Sequence, residues 1–218
     1  MFENIIFDFD GTLANTVSST LNALKKAFYE FDIFCDETKL NERLFVIPRK
    51  EVDRLVTANI PSDKLDLVLS RYRALRDENL AIEAHVYPGI KDLLEKLKSN
   101  KRRLFIATNS SKNGFSKKLE ILFKEIDFDD FRASDGTKPE MVENLISTHD
   151  LDKSKTVMVG DGLGDITAGQ AVGIKTIAVA WGYEEDKALL KDSADFYVET
   201  VEELQSLIKY LNSSHKSM

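Results

Sequence analysis

Four short runs of the chain are apolar, rich in β-branched and aromatic residues, and break off in polar residues or glycine. They are Asn4 to Phe9, Arg103 to Thr108, Thr156 to Gly160 and Lys175 to Ala180. Runs of this length and composition predict strands buried in a parallel sheet. Between them the apolar period becomes that of a helix. Pro88 to Lys98 places Ile90, Leu93, Leu94 and Leu97 at i, i+3, i+4 and i+7, behind a proline suited to a first turn. A second helix is expected from Pro139, with Val142, Leu145, Ile146 and His149 on one face, and another with Val201, Leu204, Ile208 and Leu211. Alternating strands and helices predict an α/β fold with a doubly wound parallel sheet, whose ligands bind beyond the carboxyl ends of the strands.

One region departs from this alternation. From Val17 to about Ile82 only helical periodicity is present, as in Leu21, Leu24, Phe28 and Phe31, then Leu65, Val68, Leu69 and Tyr72. Pro48 and Pro61 divide it into an expected four helices. The expected organisation is therefore a core of residues 1–15 and 83–211, a small helical cap of residues 16–82 inserted after the first strand, and a flexible polar tail of residues 212–218. An insertion at the carboxyl end of a strand is placed to act as a lid.

Composition narrows the functional classes. With 30 Lys and Arg against 37 Asp and Glu, the formal net charge of −7 argues against nucleic acid as a partner. Hydrophobic residues at 43% and charged residues at 31% are the balance of a globular protein with a sizeable core. The longest apolar runs, such as Ile177 to Trp181, are too short to span a bilayer, and the start of the chain is acidic where a signal peptide is basic. No membrane association and a cytoplasmic location are expected. Cys35 is the only cysteine, so neither an intrachain disulfide nor a thiolate metal site can form.

The chemistry-bearing residues sit at the ends of the predicted strands. Asp8 and Asp10 lie two apart, hence on one side of the first strand, and Gly11 and Thr12 follow. Paired like charges repel unless a cation or a phosphoryl centre uses them, although turn or capping residues would read the same way. The third strand ends in Gly160-Asp161-Gly162-Leu163-Gly164-Asp165, where Asp165 could also cap the next helix. Hard oxygen ligands from Asp8, Asp10 and Asp161 suit Mg²⁺ better than zinc or copper. Thr108-Asn109-Ser110 ends the second strand and Lys138-Pro139 opens a helix. A hydroxyl, a backbone amide and a compact cation are suitable donors to phosphate oxygens, yet a loop start and a solvated lysine are the plain alternatives. No nucleotide phosphate loop is present, and His85, His149 and His215 neighbour no Cys or Ser constellation.

Taken in order, Asp8-Phe9-Asp10-Gly11-Thr12-Leu13, Ala107-Thr108-Asn109, Lys138-Pro139, and Gly160-Asp161 with Asp165 resemble the haloacid dehalogenase superfamily of phosphatases, over nearly the whole chain. Tyr87-Pro88-Gly89, Ala168-Gly169, Ala171 to Ile174 and Trp181-Gly182-Tyr183 are similar to its phosphoglycolate phosphatase and β-phosphoglucomutase branch. The resemblance implies a Rossmann-like core and a Mg²⁺-dependent phosphatase acting on a small phosphorylated metabolite. It implies Asp8 as the nucleophile that forms an aspartyl-phosphate, and Asp10 as acid and then base. Thr108 and Asn109, with Gly11, would hold phosphoryl oxygens, and Lys138 would neutralise charge and orient Asp8. Mg²⁺ would be held by Asp8, the backbone carbonyl of Asp10 and Asp161, with Asp165 as a further ligand or as support for the others. The mechanism would work as a monomer or a homodimer.

Two departures from the family pattern touch the cap. Asn15-Thr16 stands where Asp followed by Ser or Thr is usual, which bears on the hinge. Phe45-Val46-Ile47-Pro48-Arg49 replaces a segment that often contains Gly, and Arg49 becomes the candidate for substrate specificity against the alternative of an exposed helix-start arginine. A mutase of the same fold is the leading alternative function. Asp10 argues against a dehalogenase, and Phe9 with Asp10 argues against a phosphonatase, for which Lys50 would be the cap lysine. A non-catalytic, phospho-accepting module is the reading from another class. Its usual representatives are shorter and carry no helical insertion.

Overall fold

The computed structural model describes residues 2–34 and 60–213. Six strands form one wholly parallel sheet: β1 (Asn4–Phe7), β4 (Arg103–Thr108), β5 (Asp130–Ala133), β6 (Thr156–Gly160), β7 (Lys175–Val179) and β8 (Phe196–Val198). Their order is β5-β4-β1-β6-β7-β8, so the winding reverses beside β1. Such a switch point leaves a crevice at the carboxyl ends of the central strands, where open α/β sheets bind their ligands. The chain thus has the expected doubly wound α/β fold, with helices following the strands.

The buried strands hold together for the reason their composition suggested. Ile6 lies in register with Phe105 on β4 and Met158 on β6, and all three are fully buried. They form one core cluster with Met141, Val142, Leu145 and Ile146 of helix Lys138–Thr148 and Ala168 of helix Leu163–Ala171. Helix Ile90–Ser99 packs on β4 and against helix Val201–Ser213. It begins at Ile90 rather than at Pro88, because Gly89 takes a left-handed conformation with φ +81° and holds the preceding residues out of the first turn. Strands β5 and β8 were not among the four apolar runs. Both are edge strands, short and half-exposed, and their sequences Asp130-Phe131-Arg132-Ala133 and Phe196-Tyr197-Val198 carry no long apolar signal.

The chain divides into two compact units: Met1–Asn15, Val86–Lys112 and Phe123–Met218 make the sheet unit, and Thr16–His85 with Asn113–Leu122 make the other. Ala14–Asn15 (β2) and His85–Val86 (β3) form a separate two-stranded ribbon where the chain leaves the sheet unit and re-enters it. Within the second unit, helices Val17–Glu30 and Leu65–Glu83 pack on each other through Ala23, Leu24, Ala27, Phe28, Val68 and Leu75, and Ile60 joins that cluster. Arg71 grips both carboxylate oxygens of Glu30 at 2.6 and 3.1 Å. Among the described residues no helix is long and apolar enough to cross a membrane.

Candidate active site

The site is assembled at the carboxyl ends of β1, β4 and β6. Strand β1 is buried along its whole length, and beyond it the Asp8 N–H still donates to the Val159 carbonyl of β6 at 2.9 Å. Phe9 and Asp8 are buried and Asp10 is half-buried. The chain then doubles back sharply: the Phe9 carbonyl accepts from the backbone N–H groups of Leu13 and Ala14, both at 3.0 Å. Gly11 makes that turn with φ +93°, and a Cβ there would lie 2.3 Å from Asp161 Oδ2. Only glycine fits both the conformation and the space.

Asp8 is almost fully buried and accepts from Lys138 Nζ on its Oδ1 at 2.5 Å. Lys138 also donates to Asp165 Oδ1. The lysine is placed by a strong helix start: Thr137 is the N-cap of helix Lys138–Thr148, and its hydroxyl and Glu140 form a reciprocal capping box. Asp165, on the first turn of helix Leu163–Ala171, turns its Oδ2 back to the N–H of Gly162 at 3.0 Å. Capping and contact with Lys138 therefore coexist in one carboxylate. Asp161 follows β6 and has both oxygens occupied, Oδ1 by the Thr12 hydroxyl at 2.9 Å and Oδ2 by the backbone N–H of Tyr183 at 2.7 Å.

One carboxylate oxygen from each of Asp8, Asp161 and Asp165 lies within 4.8 Å of the others, and all three residues are buried. Burial, opposed by Lys138 and reinforced by Asp165, Asp161 and Asp10, pushes the Asp8 pKa well above the ordinary carboxylate value. Burial and then Asp165 push Asp161 up to about 6. Lys138 keeps its proton: burial works to discharge it, but Asp165 and Asp8 outweigh burial and hold its pKa above that of a free lysine. One ammonium thus faces three buried carboxylates whose oxygens converge. A hard, oxygen-seeking divalent cation fits this donor set, whereas the cluster offers no nitrogen or sulfur ligand for a softer metal.

Asp10 faces another way. Its Oδ2 accepts from the Ser110 hydroxyl at 2.5 Å and from the Thr108 hydroxyl at 3.4 Å, and Ser110 N–H in turn donates to Thr108 Oγ1 at 3.1 Å. Asn109 is exposed between them, and its carbonyl is held by the Ser134 hydroxyl at 2.7 Å. Asp8, Asp10, Gly11, Thr108, Lys138, Asp161 and Asp165 are therefore brought to one end of the sheet. Arg49 and Lys50 lie outside the described residues, as does Cys35. Sequence reasoning assigned no role to the Ser110, Thr12 and Tyr183 contacts. Ser110 could have been found from its place two residues after Thr108, but the Tyr183 backbone contact with Asp161 leaves no side-chain signal. His149 belongs to a separate network. Arg103 has only donors to offer its Nδ1, so Nε2 carries the proton and donates to Asp130 Oδ2 at 2.8 Å.

The site is thus a cluster of converging carboxylates that could hold a metal ion, with Lys138 beside it, at the switch point of a doubly wound α/β sheet. The haloacid dehalogenase-like hydrolase family matches residues 5–179, and the chain belongs to that family and is a hydrolase. It is 26% identical over 209 residues to pyrophosphatase PpaX of Bacillus pumilus, covering 94% of this chain and 95% of the relative. It is 29% identical over 212 residues to phosphoglycolate phosphatase of Aliivibrio fischeri, covering 89% and 92% of the two chains. The solved structure of a haloacid dehalogenase-like hydrolase from Streptococcus pneumoniae superposes with a TM-score of 0.80 at 24% identity, over 95% of this chain and 98% of that one.

Proposed function

We propose that the protein is a Mg²⁺-dependent phosphatase that hydrolyses a small phosphomonoester through an aspartyl-phosphate on Asp8. The observation that carries this reading is the placement of Asp8. It is a buried carboxylate at the end of β1, with Lys138 on one oxygen and a second carboxylate, Asp10, two residues further on. Lys138 orients Asp8 so that its other oxygen attacks phosphorus. The new P–O bond forms as the ester P–O bond breaks, and Asp10 gives its proton to the departing alkoxide. Water then attacks the same phosphorus, Asp10 takes its proton, and the Asp8 carboxylate leaves with its bonding electrons restored. Thr108 hydroxyl, the backbone around Gly11 and the Asn109 amide are assigned to the phosphoryl oxygens. Ser110 holds the Asp10 carboxyl for both proton transfers, while the Thr108 hydroxyl turns from Asp10 to the phosphoryl oxygen when the ester is bound.

Asp8, Asp161 and the backbone carbonyl of Asp10, with Asp165 as ligand or support, are assigned to Mg²⁺. Bound there, the cation supplies charge that lets an anionic ester approach an acidic site. Arg49, from its sequence position, is the candidate for recognising the leaving group. The relatives' names place phosphoglycolate and pyrophosphate among the first compounds to try. Pyrophosphate offers the same phosphoryl centre with phosphate as leaving group.

The test is phosphate release from phosphoglycolate, pyrophosphate, sugar phosphates, nucleoside monophosphates and an aryl phosphate, with Mg²⁺ or with EDTA. Release that requires Mg²⁺ and is absent in Asp8→Asn is expected. Turnover that persists after thorough chelation would overturn the metal-dependent reading, and turnover that persists in Asp8→Asn would overturn the nucleophile. Phosphoryl transfer between positions of a sugar phosphate, with no release, would favour a mutase.

A further inference from the structure

Asp161 is held more completely than its neighbours in the acidic cluster. Thr12 is fully buried and 149 residues away in sequence, yet its hydroxyl donates to Asp161 Oδ1 at 2.9 Å. The backbone N–H of Tyr183 donates to Asp161 Oδ2 at 2.7 Å. The two donors belong to one connected unit, because the Trp181 indole N–H donates to the Thr12 carbonyl at 3.0 Å. Glycines close the space on both sides: a Cβ on Gly11 would stand 2.3 Å from Asp161 Oδ2, and one on Gly182 would stand 2.1 Å from Asp161 Cβ. The ring of Trp181 meets that of Tyr87 edge-on, with centroids 6.5 Å apart.

We infer that Thr12 and the Trp181–Tyr183 segment form an orienting clamp on Asp161, positioning residues that fix its carboxylate for a divalent cation. The inference rests on the assignment of Asp161 to the Mg²⁺ site made above. A carboxylate with one donor on each oxygen cannot rotate about its Cβ–Cγ bond without breaking both bonds. Its remaining lone pairs therefore keep one direction. The same donors stabilise the charged form that a cation requires, as outer partners of metal ligands generally do. The clamp also ties the turn after β1 to the loop after β7, so the residue following Gly11 and the ligand on β6 move together. Neither strand end could do this alone, since the strands fix the backbone and leave the carboxylate free to turn.

The test measures Mg²⁺ affinity directly, by calorimetric titration of the substrate-free protein, in the native chain and in Thr12→Val, Thr12→Ser and Trp181→Phe. Thr12→Val removes the hydroxyl and should weaken Mg²⁺ by about 10–100-fold. Thr12→Ser returns the donor and should restore most of the affinity, which a purely packing role for Thr12 would not produce. Trp181→Phe keeps a ring but loses the indole N–H, and should lose about tenfold. Native protein that binds no Mg²⁺ would overturn the metal assignment itself. Native protein that binds Mg²⁺ while Thr12→Val binds it equally well would overturn the clamp and leave that assignment standing. If Thr12→Val does not fold, unchanged affinity in Trp181→Phe overturns the clamp.

Discussion

At the scale of single residues, groups of the same type stand in different surroundings. Asp8 and Asp10 are both aspartates two positions apart, but Asp8 is buried against Lys138 and Asp10 lies half-buried against two hydroxyls. That difference of environment is what separates a nucleophile from a proton carrier. Asp8→Asn keeps the shape and removes the attacking carboxylate, so the panel assay should show turnover lowered by at least about a thousandfold. Lys138→Met keeps a stem of similar length in its place, and kcat should fall by about a hundredfold because the ammonium that donates to Asp8 and Asp165 is lost. Steady-state kinetics on the best ester of the panel checks this. An effect confined to KM would make Lys138 a binding group only. Asp8 and Asp10 were legible from sequence because they follow a run of apolar residues, where a strand stops and polar neighbours face solvent or a ligand, and Lys138 because it stands beside Pro139 at a helix start. The contacts that orient them were not. Thr12 reaches Asp161 only because β1 pairs with β6, and a backbone donor such as Tyr183 N–H is independent of side-chain identity.

At the scale of elements, two short devices aim the site. The Gly11 turn combines a left-handed backbone with a contact to Asp161 that leaves no room for a side chain. Gly11→Ala should cost about 1–3 kcal/mol of stability, read from denaturant unfolding, and should also weaken Mg²⁺ because the Cβ displaces the Asp161 carboxylate. Thr137→Ala removes the hydroxyl of the capping box that starts the helix at Lys138, and should cost about 1 kcal/mol. The turn and the helix starting at Lys138 follow from local sequence, as do the four inner strands. The edge strands β5 and β8 do not. Buried on one side at most, they carry Asp130, Arg132 and Tyr197 within three or four residues, and only pairing with β4 and β7 makes them strands. Pro88 illustrates the other failure of local reading, since Gly89 delays the helix by its own conformation.

At the scale of the whole molecule, the acidic cluster links folding, pH and the cation. In the metal-free protein the Asp161 pKa of about 6 lies above the ordinary 3.8, so the folded chain binds that proton more tightly than the unfolded chain does. Between about pH 4 and 6 this group makes the fold less stable as pH rises, and the loss is complete above that window. If Mg²⁺ binds at Asp161 as proposed, it competes with that proton, so the rise in Tm on adding it should be large near about pH 8 and small near about pH 5. An equal rise at both would separate Asp161 from cation binding. The central claim is more specific: a phosphoryl group passes through Asp8. Its most direct test is to quench native protein with acid during turnover of the best ester in Mg²⁺ and to map the labelled peptides by mass. One phosphoryl group is expected on the peptide carrying Asp8, absent in Asp8→Asn. Turnover with no such adduct in the native chain, together with full activity in Asp8→Asn, would contradict it.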